Sequence, residues 1–125
     1  LGVLPSISLN QLTIENSLNS NGLLFMVLSA VILGPITEEL IFRKAIFGLI
    51  KKPYVALTVS TLSFGLVHLL SEQSITTAII NGISYFTMGL VFGLIYIKYE
   101  KNIFAPLLVH ILSNAISIIA ILFIL

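Results

Sequence analysis

The feature that most constrains this chain is a series of four apolar stretches, each about as long as a lipid bilayer is thick. They run from Gly22 to about Ile50, from Pro53 to Leu70, from Ile75 to Ile97 and from Ile103 to Leu125. A spanning helix needs about 20 predominantly apolar residues. Because backbone polar groups in lipid must be satisfied internally, the pattern predicts an all-α, multi-spanning transmembrane bundle of about four helices.

The composition agrees with a membrane protein and excludes several other classes. Hydrophobic residues make up 58% of the 125 residues and charged residues only 9%, whereas soluble domains have about 25% charged residues. A net charge of +1 leaves no basic surface for nucleic acid, so nucleic acid is not an expected partner. The absence of cysteine excludes disulfides, thiolate zinc sites and cysteine nucleophiles.

The domain organisation predicted from these patterns is simple. Residues 1–21 form a polar, Asn- and Ser-rich lead-in, which we expect to be a loop or an interfacial helix. Residues 22–125 form one transmembrane domain, whose first helix we expect to be kinked at Gly34-Pro35 because proline lacks a backbone donor. The chain begins with Leu1 and has no basic segment typical of a secretory signal, so we expect a fragment or a short family member.

The loops between the apolar stretches predict the orientation in the membrane. Lys51 and Lys52 lie in the first loop, and Lys98 and Lys101 lie in the third, whereas the second loop contains Glu72 and no basic residue. The positive-inside rule therefore places both lysine loops in the cytoplasm and the Glu72 loop outside.

A few ionisable and amide side chains lie within the apolar stretches instead of in the loops. They are Glu38, Glu39, Arg43 and Lys44 in the first stretch, His68 in the second, and His110 and Asn114 in the fourth. A charge within a span costs at least about 2.5 kcal/mol on insertion scales and is by default a functional-site candidate. Residues four apart share a helix face, so Glu39 can pair with Arg43 while Glu38, turned about 100° away, can point elsewhere.

Depth in the membrane is compatible with a single polar cluster. Counting about 1.5 Å of rise per residue from the lysine loops, Glu38, His68 and Asn114 lie about 20 to 25 Å deep, and His110 lies about 13 Å deep. Helix tilt covers this difference. We therefore expect Glu38, His68, His110 and Asn114 to line one polar cavity, which we expect to open towards the cytoplasm.

Three motifs, each on its own apolar stretch, carry a resemblance to a known family. They are Glu38-Glu39-x-x-x-Arg43, Phe64-x-x-x-His68 and His110-x-x-x-Asn114. In this order the motifs resemble those of the CPBP family of intramembrane CAAX-prenyl endopeptidases and bacteriocin-processing proteins, also called Abi or CAAX protease self-immunity proteins. The similarity covers roughly residues 22–120, although Lys44 stands where the family usually has glycine.

The resemblance implies an enzyme and assigns roles to these residues. Glu38 and His68 would activate a water for attack on a peptide carbonyl, and His110 and Asn114 would stabilise the tetrahedral oxyanion. Glu39 and Arg43 would support the helix that carries Glu38. The implied substrate is a membrane-associated protein or peptide, processed as in CAAX or bacteriocin maturation, and the implied location is a bacterial cell membrane.

The sequence leaves two questions open: whether a metal ion takes part, and whether the protein is an enzyme. Glu38, His68 and His110 could bind one zinc ion with a position left for water, and the family is often described as metalloproteases. The HExxH spacing that holds two ligands on one helix is absent, and a metal-free glutamate mechanism is equally compatible with these residues. The alternative functions are a non-catalytic immunity or scaffold protein that binds a peptide, and a proton or ion pathway.

Several of the same residues also have ordinary structural interpretations. Glu39 and Arg43 can form a structural ion pair, Phe64 can pack below His68, and His110 and Asn114 can form interhelical hydrogen bonds. Glycines recur in the third stretch at Gly82, Gly89 and Gly93, where we expect them to let another helix approach closely. The same spacing allows a dimer, so the sequence leaves the oligomeric state open.

Overall fold

The computed structural model describes residues 22–124, and this part of the chain is all-α. Four helices follow one another: α1 at Leu23–Leu49, α2 at Pro53–Leu69, α3 at Ile75–Lys98 and α4 at Phe104–Ile124. Three of them, α1, α3 and α4, are long and apolar enough to cross a membrane, whereas α2 has 17 residues. The helical bundle is confirmed, and the predicted polar lead-in, residues 1–21, lies outside the described residues.

Short connections give the bundle two distinct ends. Residues 50–52 join α1 to α2 and residues 99–103 join α3 to α4, so these two loops and their lysines lie together at what we call the lysine end. Residues 70–74 join α2 to α3 at the opposite end, which we call the Glu72 end. The first residues of α1 and the last residues of α4 also lie at the Glu72 end.

Helix α1 continues through Gly34 and Pro35 with two changes of hydrogen-bond pattern. π-Helical turns occur at Ser29–Leu33 and at Leu40–Ala45. The first directly precedes Gly34 and Pro35, and the helix is continuous there, so the kink expected at this point stays a prediction. The α-helical segment between the two turns, Gly34–Glu39, carries both glutamates. Single π turns are frequent at functional sites.

Close packing of α2 against α3 depends on glycine. A Cβ atom on Gly65 would overlap the ring of Phe86, and one on Gly93 would lie 2.6 Å from Leu57 Cδ1. Gly82 and Gly89 are also tight, at 3.2 Å from α2 side-chain atoms. The expectation that the glycines of α3 serve helix packing is therefore confirmed, and Gly65 on α2 belongs to the same contact.

Two buried aromatic clusters lie on the lysine side of Glu38 and the two histidines. One joins Phe42, Phe64 and Phe92 from three helices. The other consists of Phe47, Ala56, Leu57 and Tyr96, with Ile50, Ile97 and Ile103 packed against it. Most large apolar side chains elsewhere are exposed, as expected for a surface that contacts lipid. The aromatic clusters thus close the bundle on the lysine side of the polar residues.

Candidate active site

The carboxylate of Glu38 lies between two histidines from other helices. Its Oε1 atom is 3.7 Å from His68 Nε2 on α2, and its Oε2 atom is 3.4 Å from His110 Nε2 on α4. The Glu38 side chain is 31% exposed and His110 is 4% exposed, so the carboxylate faces an open space while His110 is enclosed. The structure therefore brings together Glu38, His68 and His110, three of the four side chains that the sequence placed in one cluster.

Glu39 points into the interior, where it contacts two charged or polar groups. Its Oε1 atom lies 2.7 Å from His110 Nδ1, and its Oε2 atom lies 3.3 Å from Arg43 Nε. Glu39 and Arg43 are both fully buried. The ion pair predicted from the i,i+4 spacing is present, but nothing in the sequence indicated that Glu39 also holds the ring of His110.

Arg43 is fixed by contacts with two further helices. One guanidinium nitrogen donates to the backbone carbonyl of Gly89 on α3, at 3.0 Å. Its guanidinium carbon lies 4.8 Å from the ring centroid of Phe64 and 5.4 Å from that of Phe92. Cation–π contacts of this kind are strongest where water is excluded. Lys44, the departure from the family pattern, is exposed and does not reach this network.

His68 is held by its own helix and by α3. Its Nδ1 atom lies 2.8 Å from the carbonyl oxygen of Phe64, one turn earlier. The ring packs 4.3 Å from the ring of Phe64 and 5.2 Å from that of Tyr85. Phe64 is therefore more than packing below the site, because its backbone carbonyl orients the imidazole.

The hydrogen bonds at Nδ1 determine whether the Nε2 atom of each histidine donates or accepts a hydrogen bond. A carbonyl oxygen only accepts, so His68 Nδ1 carries hydrogen and donates to Phe64. The Glu39 carboxylate paired with Arg43 also accepts, so His110 Nδ1 donates to Glu39. In the neutral rings both Nε2 atoms then present lone pairs towards Glu38. The neutral ring of His110 therefore accepts at Nε2. Only the protonated ring, with hydrogen on both nitrogens, donates there.

Asn114 lines the same space but is engaged with α1. Its Nδ2 atom donates to the backbone carbonyl of Ala30, at 2.8 Å. This carbonyl is left available because Gly34 N–H bonds Ser29 in the π turn and Pro35 has no N–H to give. The amide Nδ2 carries a second hydrogen, which can still serve a ligand in the cavity. Asn114 therefore joins α4 to α1 in addition to facing the site.

A cavity of about 930 Å³ extends from Glu38 towards the Glu72 end. Its walls include Met26 and Ala30 from α1, Ser84 and Tyr85 from α3, and Ser117 from α4. Those from α1 and α4 lie on the Glu72 side of Glu38 and His110 along their helices, and those from α3 lie in its half nearest the Glu72 loop. The cavity does not extend towards the lysine loops, because buried aromatic clusters fill the bundle there, and its predicted opening towards the cytoplasm stays a prediction.

A second polar group lies at the wall of this cavity nearest the Glu72 loop. Asn81 Nδ2 donates to both carboxylate oxygens of Glu72, each at 3.1 Å, and the Tyr85 hydroxyl donates to one of them at 2.6 Å. Since Tyr85 also packs on His68, the loop carboxylate is connected through one side chain to the ring beside Glu38. Sequence reasoning missed Asn81 and Tyr85, although their i,i+4 spacing on an apolar helix was a usable signal.

The metal hypothesis requires Glu38, His68 and His110 to act as joint ligands. Within residues 22–124, no group of three or more His, Cys, Asp or Glu side chains is arranged to hold a metal ion. The Nδ1 bonds of His68 and His110 leave both Nε2 atoms available as ligands, as in many metal sites, and each Nε2 faces a different oxygen of Glu38. The side-chain types would suit a metal ion, and whether one takes part stays a matter for experiment.

Comparison with known proteins gives consistent results. The family model described as Type II CAAX prenyl endopeptidase Rce1-like matches residues 20–116. The chain is 32% identical over 97 residues to "Putative membrane peptidase YdiL" of Bacillus subtilis (strain 168), covering 75% of this chain and 36% of that protein. It is 33% identical over 97 residues to "Membrane-embedded CAAX protease MroQ" of Staphylococcus aureus (strain USA300), covering 70% of this chain and 36% of that protein.

The matched region contains the polar cluster and most of the bundle. The chain spans 36% of the length of each of these two relatives. No solved structure matches it. Together with the three apolar helices of sufficient length, the matches make the chain an integral, multi-pass membrane protein.

Proposed function

The chain belongs to the Type II CAAX prenyl endopeptidase Rce1-like family, and on this basis we propose that it hydrolyses a peptide bond of a membrane-associated protein or peptide. The observation that carries the proposal is the position of Glu38, whose two oxygens face His68 Nε2 and His110 Nε2 at the base of a cavity. An intramembrane carboxylate with two histidines has the side-chain types needed for general acid–base catalysis.

The first step is activation of a water between Glu38 and His68. Glu38 Oε1 and His68 Nε2 are 3.7 Å apart, too far for a direct hydrogen bond and suitable for a bridging water. Both atoms accept, so a water there gives each of them one hydrogen and directs its lone pairs at the substrate carbonyl. Glu38 takes a proton as the carbon–oxygen bond forms, a contribution of typically about 10²- to 10⁴-fold in rate.

The second step is stabilisation of the oxyanion and expulsion of the amine. The second amide hydrogen of Asn114 is a donor for the oxyanion, and His110 supplies another from Nε2 when its ring carries both hydrogens. One such donor is worth about 3 kcal/mol of barrier in a water-poor site. The proton held by Glu38 then passes to the leaving nitrogen as the carbon–nitrogen bond breaks, which restores the carboxylate. Glu39 acts as a positioning residue, because it touches His110 and not the reacting atoms.

The test is cleavage of membrane-anchored peptides by the detergent-purified chain. Peptides with a fluorophore and a quencher on either side of an internal bond report hydrolysis directly. We expect Glu38→Gln and His68→Ala to lower the rate at least about 100-fold, because each removes an acceptor for the water. Glu100→Gln, at an exposed carboxylate in the loop after α3, is the matched control and should retain the native rate.

The competing function is binding without cleavage, as in a bacteriocin immunity or scaffold protein. The same cavity has room for a peptide in either case, so only the presence or absence of peptide cleavage distinguishes the two functions. Cleavage that is undiminished in both Glu38→Gln and His68→Ala would rule out the mechanism. Protection of cells that persists in the Glu38→Ala variant, with no peptide cut by the native chain, would establish the binding function instead.

A further inference from the structure

His68 lies in the last turn of its helix, where the following loop has to hold it. Helix α2 ends at Leu69, one residue after His68. The last carbonyls of a helix have no partner within it, and helix ends open most readily. Here the carbonyl oxygen of His68 accepts from the Ser71 hydroxyl at 2.7 Å, and that of Leu69 accepts from the Glu72 backbone N–H at 3.0 Å. The loop after α2 therefore closes the helix that carries His68.

The side chain of Glu72 fastens this loop to α3. Asn81 Nδ2 donates to both carboxylate oxygens at 3.1 Å, and the Tyr85 hydroxyl donates to Oε1 at 2.6 Å. The shorter distance is typical of a charge-assisted bond from a hydroxyl to a carboxylate. Asn81 and Tyr85 are four residues apart on α3 and so share one helix face. The partly buried carboxylate of Glu72 is thus held on α3 by two side chains.

Tyr85 connects this attachment to the imidazole of His68. The Tyr85 ring lies 5.2 Å from the His68 ring, and the Phe64 ring lies 4.3 Å from it. The bond from His68 Nδ1 to the Phe64 carbonyl exists only at one rotation of the imidazole about its side-chain bonds. Because Glu72 holds the hydroxyl end of Tyr85, the packed ring of Tyr85 limits that rotation. The same rotation sets the direction of His68 Nε2, which faces Glu38.

From these contacts we propose that Glu72 and Tyr85 are positioning residues for His68. The inference rests on the proposed function, in which His68 Nε2 accepts a hydrogen from the attacking water. Both residues act through the imidazole and not on the reacting atoms. A carboxylate in the loop after α2 therefore controls the direction of a lone pair beside Glu38.

The kinetic constants of peptide cleavage by the purified full chain test this role. Tyr85→Phe keeps the ring and removes only the hydroxyl, and Glu72→Ala removes the acceptor for both donors. Each variant should lower kcat and kcat/KM equally, by roughly 10- to 100-fold, because a misdirected imidazole weakens binding of the transition state alone. The matched controls are Tyr54→Phe, at a tyrosine that is 82% exposed, and Gln73→Ala, in the same loop as Glu72. Both controls should keep the native constants.

The orientation of His68 can also be measured without cleavage, by nitrogen NMR. The chain contains two histidines, so protein with isotope-labelled histidine rings gives two pairs of ring signals, and His68→Ala identifies the pair of His68. At a pH that keeps both rings neutral, native His68 should carry hydrogen on Nδ1 and a lone pair on Nε2. In Tyr85→Phe and Glu72→Ala the two His68 signals should move towards each other, because the ring no longer has one fixed tautomer. The signals of His110 should stay native and thereby show that the bundle is folded.

Reduced kcat together with averaged His68 signals in both variants would support the positioning role. Unchanged His68 signals, or a native kcat in both variants, would overturn it. A loss confined to Tyr85→Phe would also overturn it, since Tyr85 would then act without Glu72. If the native chain cuts no peptide, the NMR signals still decide whether Glu72 and Tyr85 hold the imidazole, so failure of the proposed function is recognised separately.

Discussion

Glu39 Oε1 lies 2.7 Å from His110 Nδ1, and both side chains are buried. The second oxygen of the same carboxylate faces Arg43. One glutamate thus connects an arginine anchored on α3 to the histidine that faces Glu38. The contact determines which nitrogen of His110 is directed at the cavity, and it makes the neighbour of the proposed base part of the site.

The first prediction concerns this positioning role of Glu39. Glu39→Gln should lower the rate of peptide cleavage at least about 100-fold, because an amide no longer fixes His110 with Nδ1 as the donor. The substitution should also lower the free energy of unfolding by about 3–5 kcal/mol, because it leaves the buried charge of Arg43 unpaired. Cleavage is measured on detergent-purified protein, and stability is measured by denaturant titration.

A double variant separates the two effects of Glu39. Glu39→Gln combined with Arg43→Gln removes both charges and should recover part of the lost stability, whereas the cleavage rate should stay low. If cleavage returns together with stability, Glu39 acts only through folding and its positioning role is wrong. Glu100→Gln provides the control for a neutralised carboxylate outside the network.

The second prediction concerns Asn114, which both joins α4 to α1 and faces the cavity. Asn114→Ala should lower turnover by about 100-fold through loss of an oxyanion donor. Its effect on the free energy of unfolding should be only about 1 kcal/mol, through loss of the bond to Ala30. Ser113→Ala, at the adjacent cavity-lining position, is the control for truncation. A large loss of stability with native turnover per folded molecule would show that Asn114 is structural only.

The third prediction tests the close contact between α2 and α3. Gly65→Ala should destabilise the bundle by about 1–3 kcal/mol, because the added methyl group overlaps the ring of Phe86. Gly48→Ala is the matched control, since a Cβ there meets nothing within 4 Å, and it should cause no loss. Equal stability of the two variants, measured by thermal unfolding in detergent, would contradict the packing described for Gly65.

The fourth prediction concerns metal. Cleavage by the purified chain should survive treatment with a strong chelator and removal of the chelator by gel filtration, because the proposed steps use only side chains and water. The metal content of the treated protein is measured in parallel by elemental analysis. Loss of cleavage that added zinc restores would reverse this prediction and would make Glu38, His68 and His110 the candidate ligands.

Much of the fold could be predicted because membranes restrict the choice of structure. Without water, a spanning segment can form all its backbone hydrogen bonds only as a helix or within a closed barrel. The position and length of an apolar stretch therefore predict where a helix begins and ends. The predicted stretch from Ile75 to Ile97 and the observed α3, Ile75–Lys98, agree within a residue. Proline indicated that the backbone hydrogen-bond pattern of α1 changes near residue 35, but not that the change is a π turn at Ser29–Leu33.

The sequence indicated which residues would form the polar cluster, but not most of the contacts between them. Glu38, His68 and His110 stand out because ionisable groups within apolar spans are few and costly. The bond from Glu39 to His110 and the bond from Asn114 to Ala30 join residues 71 and 84 positions apart. Local periodicity carries no information about such pairs, because they depend on how far each helix is rotated about its own axis.

By itself, the sequence determined that the chain is a helical membrane bundle, which residues are candidates for its chemistry and which end bears the positive charges. It could do so because hydrophobicity, helical spacing and charge are local properties. Only the tertiary structure decided that Glu38 faces both histidines, that Glu39 orients His110 and that the cavity leads to the Glu72 end. The reason is packing: the aromatic side chains of α1, α2 and α3 meet on the lysine side of the site, and the remaining space lies on the other side.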